Sequence, residues 1–155
     1  MRQVLGVLLI GGFVAAPASG FVAQRGSAPS PIKACSVLTR DLVEPFVENK
    51  RVLDLIPPDE ETTPTYSACE YGSVRLQYFP AGARGARTAP TGFQPLSGVG
   101  ETAYFRSNKN GYAELLVWSG AHNFTLQVSV PTGSTADAIK PKAAALANSI
   151  IQKLR

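Results

Sequence analysis

This sequence is poor in the side chains that carry most enzyme chemistry. Its 155 residues include one histidine, His122, and two cysteines, Cys35 and Cys69. A zinc shell needs four close nitrogen, sulfur or oxygen ligands, and one histidine with two widely spaced cysteines does not supply them. The consecutive acids Asp59, Glu60 and Glu61 lack the alternating spacing and glycine of an EF-hand loop, so they read as a solvated loop. No metal site and no cofactor are expected. A serine, threonine or cysteine nucleophile needs a base within reach and a group to orient that base. The one imidazole, His122, stands in the short stretch "AHN" between two strand-like runs, where a turn residue is the simpler reading. The chain has no G-x-S-x-G elbow. The glycine-rich "GARGAR" (82–87) lacks the Gly-Lys-Ser/Thr of a phosphate loop and opens no helix. A basic sheet face interleaved with aromatics is also missing, so nucleic acid is not an expected partner. No internal repeat is present at a period of about 20–50 residues.

What the sequence does carry is a compartment signature. "MRQVLGVLLIGGFVAAPASG" has one basic residue, Arg2, then an unbroken apolar run from Val4 to Ala16, then small residues suited to cleavage. Residues 1–20 read as a secretory signal peptide whose apolar core is too short to span a bilayer. No cysteine ends that run, so lipid attachment is not expected. The expected protein is secreted or periplasmic, with no transmembrane segment after cleavage. The chain has 15 basic and 11 acidic residues, a net +4; losing Arg2 leaves 14 − 11, or +3. So small an excess permits attraction to anionic polymers or headgroups without requiring it.

An even cysteine count in an exported chain favours a Cys35–Cys69 disulfide. The competing reading is Cys35 as a nucleophile near a helix N-terminus, which requires a free thiol and a base.

After residues 21–33, expected to be a flexible tether rich in Gly, Ser and Pro, residues 34–155 read as one α+β domain. The expected architecture is an antiparallel β-sheet meander packed by a short N-terminal helix and a longer C-terminal helix. Thr39 as N-cap, Asp41 in the first turn, and Leu42, Val43, Phe46 and Val47 as an apolar stripe predict a helix over 39–48 that is short or bent at Pro45. "RVLDLI" (51–56) predicts a first strand with poor alternation, and "PPDEETTPTYS" a loop. "ACEYG" (68–72) and "VRLQYFP" (74–80) predict strands, followed by a long segment from Ala81 to Gly98 that is mobile or functional. "ETAYFRS", "YAELLVWSG" and "FTLQVSVP" predict the meander, with one face buried and Asn110-Gly111 at a turn. Ile139, Ala143, Leu146, Ile150 and Leu154 recur at helical spacing and predict the closing helix, with Pro141 at a kink or in the first turn of its main segment.

Candidate binding residues are Arg84 and Arg87 in the basic loop, with Tyr104 and Trp118 from an aromatic set that includes Tyr78 and Phe79. An anionic glycan, a lipid headgroup or an acidic protein surface would suit them. Glu70, Glu101 and Glu114 are the acids that could form a hydrolytic carboxylate pair, although cross-strand ion pairs with Arg75 or Arg106 are the simpler use. "NFT" at Asn123 matches a glycosylation acceptor, against which Thr125 on a polar strand face is the plainer reading. No catalytic residue is expected, and the function expected is that of a non-enzymatic binding or interaction module. Its partner would be an envelope protein, glycan or lipid. Carriage of a small apolar ligand between sheet and helix is the alternative.

The order "ACSVLTRDLVEPFV", "ACEYG", "VGETAYF", "LLVWSGAHNFTLQVSV" and an alanine-rich terminal helix resembles a family of small secreted bacterial proteins of unknown function, mainly actinobacterial and many of them lipoproteins. The resemblance covers about residues 34–154. It implies the Cys35–Cys69 disulfide and helices against an antiparallel sheet, and it brings no catalytic residues. The chain departs from the family in lacking the lipid-bearing cysteine.

Overall fold

The computed structural model describes residues 32–81, 87–108 and 110–155. The signal-peptide reading, nearly all of the tether, and Arg84 therefore lie outside the described residues.

Alternation of apolar side chains organises the centre of the fold. Along β7 (His122–Ser129), Phe124, Leu126 and Val128 are fully buried on one face. Across the ladder they face Val117, Leu115 and Ala113 of β6 (Tyr112–Ser119) and Tyr78, Leu76 and Val74 of β3 (Val74–Phe79). With β2 (Ser67–Tyr71), β5 (Thr102–Asn108) and the two-residue β4 (Gln94–Pro95), these strands belong to one seven-stranded sheet. The seventh is β1 (Asp59–Thr62), and the order is β1-β2-β3-β7-β6-β5-β4 with every pairing antiparallel. The fold is α+β, as the element order implies.

One long helix, α4 (Ala136–Lys153), covers β6, β5 and β7. Thr135 caps it by accepting from the Ala138 amide, Asp137 sits in the first turn and Lys153 in the last, each placed well for the helix dipole. Ala143 and Ala147 are fully buried, so the helix axis comes close to the sheet and Ile150 and Leu146 fill the rest. Pro141 lies inside the helix, past the first turn, so the carbonyl one turn before it loses its intrahelical donor.

On the N-terminal side the chain makes α1 (Ala34–Val37), α2 (Arg40–Val43) and a 3-10 turn (Glu44–Phe46), so the helix expected over 39–48 is short and passes into 3-10 geometry at Pro45, while α1 and a further helix at Val52–Leu55 were not expected. Thr39, extended at ψ 163°, separates the first two; its hydroxyl reaches the Asp41 carboxylate and makes no backbone cap. Pro45 is accommodated in the first turn of the tighter 3-10 segment, where a missing donor costs least. "RVLDLI" is not a strand: it holds α3 (Val52–Leu55), which buries Leu53 alone and so shows no alternation. Asp59–Thr62 is not loop but edge strand β1, held to β2 through its backbone with all four side chains exposed.

The meander also buries more than one face. On β6 Glu114, Leu116 and Trp118 are buried as well, on the face opposite the fully buried Ala113, Leu115 and Val117. The long segment after β3 supplies part of the cover: Phe93 lies 4.4 Å from the Arg106 guanidinium, Tyr104 donates to the Arg87 carbonyl, and β4 pairs with β5. His122 belongs to β7, because Gly120 and Ala121 alone make the turn.

Candidate functional site

The three described candidate binding residues meet at one corner. Arg87 Nη1 lies 2.5 Å from Glu101 Oε2, and Nη2 donates to the Gly120 carbonyl at 3.2 Å. Glu101 Oε1 accepts from the Gly120 amide at 2.9 Å, so one carboxylate fastens the long segment to the β6–β7 turn. The Arg87 guanidinium, and then the Gly120 N–H, hold the Glu101 carboxyl below the usual carboxylate range. Tyr104 meets Trp118 edge to face with ring centroids 6.0 Å apart. Trp118 is only 5% exposed and Tyr78 is buried, so these two rings do not contribute to an exposed aromatic patch. This corner is a clamp whose charges are already matched.

The residues that could have supported catalysis have structural partners. Cys35 is joined to Cys69, with Cα atoms 4.9 Å apart, so it has no thiol to offer. His122 Nδ1 shares a 2.9 Å hydrogen bond with the Tyr78 hydroxyl, and burial pushes the Tyr78 phenol above its ordinary range. Each of the three suspected acids has an arginine beside it: Glu70 has Arg75 at 3.7 Å as well as its register partner Asp59, Glu101 has Arg87, and Glu114 has Arg106 at 2.6 Å. Among the described residues no group of three or more His, Cys, Asp or Glu could hold a metal ion. Asn123 is 5% exposed in β7 and donates to the Pro80 carbonyl at 3.5 Å, which removes it from the surface a glycosylation acceptor needs. Thr125 lies on the polar strand face with Asn123 and Gln127, opposite Phe124 and Leu126, and is buried there.

A further site is one that sequence reading did not find. Between the chain from Phe46 to Pro57 and the β2–β3 turn lies an open groove of about 670 Å³. Its walls are set by three hydrogen bonds. Ser73 Oγ donates to the Phe46 carbonyl at 2.7 Å, the Tyr71 hydroxyl to the Leu53 carbonyl at 3.2 Å, and the Ser129 amide to the Ser73 carbonyl at 2.8 Å. Arg40 reaches across to Asp54 and ties α2 to α3, which keeps the Asp54 carboxyl below its usual range. Val47, Val52, Ile56 and Pro57 give the groove an apolar lining, and Glu48, Asp59 and Glu70 bring carboxylates to it. Leu55 beside it is 79% exposed and Ile56 56% exposed, two of the three large hydrophobic side chains most open to solvent among the described residues. By contrast, Ala143, Ala147 and Ile150 fill the α4–sheet interface with fully buried side chains.

A charge split marks the same region. Residues 41–70 hold 8 of the 11 acids and 2 of the 15 basic residues, a local −6; the remainder carries 13 basic and 3 acidic residues, or +10. That asymmetry was readable from the sequence, and the small net charge conceals it.

No protein-family model matches this chain, no curated protein matches it, and no solved structure matches it. No helix among the described residues is long and apolar enough to cross a membrane.

Proposed function

We propose that the chain is an exported, non-enzymatic binding module of the bacterial cell envelope, of the kind its cysteine and strand motifs resemble. The groove beside α3 carries this reading: it joins an apolar lining to exposed Leu55 and Ile56, whereas the other apolar side chains among the described residues are mostly covered. Contiguous exposed apolar surface of this kind is characteristic of contact sites. The leader-like N-terminus and the disulfide support an oxidising, extracytoplasmic location. The arginine partners of Glu70, Glu101 and Glu114, and the disulfide at Cys35, support a role without catalysis.

The volume of the groove also favours a second reading, carriage of a small apolar ligand, with the groove as its seat in place of the α4–sheet interface. Nile red emission tests whether the groove accepts an apolar guest at all. Dye brightening that Val52→Gln with Ile56→Ser removes, in a variant keeping its near-ultraviolet circular dichroism, is the expected result. Brightening unchanged by that variant would place apolar binding elsewhere.

A further inference from the structure

We infer that the groove receives a cationic segment of another polypeptide, one that sets apolar side chains against Val47, Val52 and Ile56 and lysine or arginine beside the carboxylates. This rests on the binding-module reading above. Three carboxylates, Glu48, Asp59 and Glu70, line the groove, and no lysine or arginine does. Several acids elsewhere are neutralised at close range: Glu44 by Lys50 at 2.5 Å, Glu101 by Arg87 at 2.5 Å, Glu114 by Arg106 at 2.6 Å. Glu48 and Asp59 enter no ion pair among the described residues, and Glu70 has only Arg75 at 3.7 Å. A groove with an apolar lining and uncompensated negative charge is complementary to a positive, partly apolar partner.

The charge split extends the argument beyond contact range. Arg40, Arg75 and Lys153 pair with acids of residues 41–70 from outside that stretch and lower its −6 to −3, an excess that still steers cations toward it over roughly a Debye length, about 8 Å at physiological ionic strength. It repels an anionic membrane surface, which makes a lipid bilayer the wrong occupant. Exposed Leu55 and Ile56 carry the apolar surface past the hollow itself, so the contact suits a polypeptide better than a small amine. Asp59 opens β1, the terminal strand of the sheet, so a segment leaving the groove runs toward a strand edge that also bears Glu60 and Glu61. A second copy of this chain is the nearest competitor, because the rest of the molecule is positive; such a head-to-tail contact would build a ring or an open filament in place of a two-fold dimer.

Fluorescence anisotropy of the disulfide-intact protein decides the matter, using a fluorescein-labelled peptide of alternating lysine and leucine. Serine–leucine and glutamate–leucine peptides serve as controls. The expected result is preference for the lysine peptide, weakened by salt and weakened severalfold in a Glu48→Gln, Asp59→Asn, Glu70→Gln variant that stays folded. Equal binding of the lysine and serine peptides, both lost with Val52→Gln, would overturn the cationic partner and leave the binding module standing. No binding of any peptide, together with Nile red brightening that Val52→Gln leaves unchanged, would overturn both. Sedimentation that shows self-association at low salt, abolished by the charge variant, would make a second copy the occupant and overturn the inference.

Discussion

Gly72 sits directly beneath Leu53: a Cβ built on this glycine would lie 3.0 Å from Leu53 Cδ2 and equally close to Val47 Cγ2. Its φ of +60° completes the two-residue turn between β2 and β3, a conformation that a side chain disfavours. The contact matters because Leu53 is the one buried residue of α3, and α3 forms a wall of the groove.

Gly72→Ala should therefore destabilise the protein by about 1–3 kcal/mol, combining left-handed strain with overpacking. Urea unfolding would show it as a lower midpoint with unchanged slope. A midpoint at or above that of the parent would mean that α3 is not seated on this turn.

On β5 and β6, Arg106 and Glu114 are register partners, and Glu114 is 7% exposed with Gln127 Nε2 as a further donor at 3.4 Å. Arg106→Met strips the carboxylate of its main partner while leaving it covered, which should cost about 2 kcal/mol; the partial exposure of Arg106 keeps the figure below that for a fully buried pair. Replacing both residues, Arg106→Met with Glu114→Met, should recover most of the loss. A double variant as weak as the single one would show that the pair contributes through packing alone.

The Cys35–Cys69 disulfide closes a loop with a sequence separation of 34, for which the chain-entropy relation gives about 3–4 kcal/mol. The Ala34 amide also donates to Ser67 Oγ at 2.9 Å, so α1 should stay docked when the disulfide is removed. Cys35→Ala with Cys69→Ala should shift the urea midpoint down while leaving native circular dichroism unchanged. A native spectrum lost without denaturant would give the disulfide a larger part than the entropy relation assigns it.

Four carboxyls are held below their ordinary range: Asp41 by the Thr39 hydroxyl and Lys153, Glu44 by Lys50, Asp54 by Arg40, and Glu101 by Arg87 and the Gly120 amide. A depressed folded value contributes stability above the unfolded value and loses it as pH falls through the folded one. Stability from these groups should hold from neutrality to about pH 5 and decline below about pH 4, the ordinary carboxylate range. Because these carboxyls are exposed, or half-buried in the case of Glu44, each decline is small and should shrink further in high salt. Chemical denaturation across this range checks the sign; a midpoint that rose on acidification would contradict it.

How much of this was legible in the sequence follows from what each element buries. β3, β5, β6, β7 and α4 each place apolar residues at the period of their own backbone, so pattern alone finds them. β1 buries no side chain and exists through its ladder to β2, so nothing in "DEET" announces a strand. α3 buries one residue in a single turn, too little for a period. The second buried face of β6 depends on cover from the distant Phe93 segment, which a local pattern does not contain. The groove is assembled from residues 46–59, 70–73 and 129–131, and only the concentration of acids over 41–70 hinted at it. The candidate Arg87, Tyr104 and Trp118 do come together, as a clamp between loop and sheet.

The most direct test is to map amide chemical shifts by nuclear magnetic resonance while the lysine–leucine peptide is added to the disulfide-intact protein. Occupation of the groove predicts saturable shifts concentrated at Val47, Val52, Ile56, Gly72 and Ser73. Shifts confined instead to the Arg87–Glu101 corner, or scattered without saturation over the whole surface, would contradict a binding site beside α3.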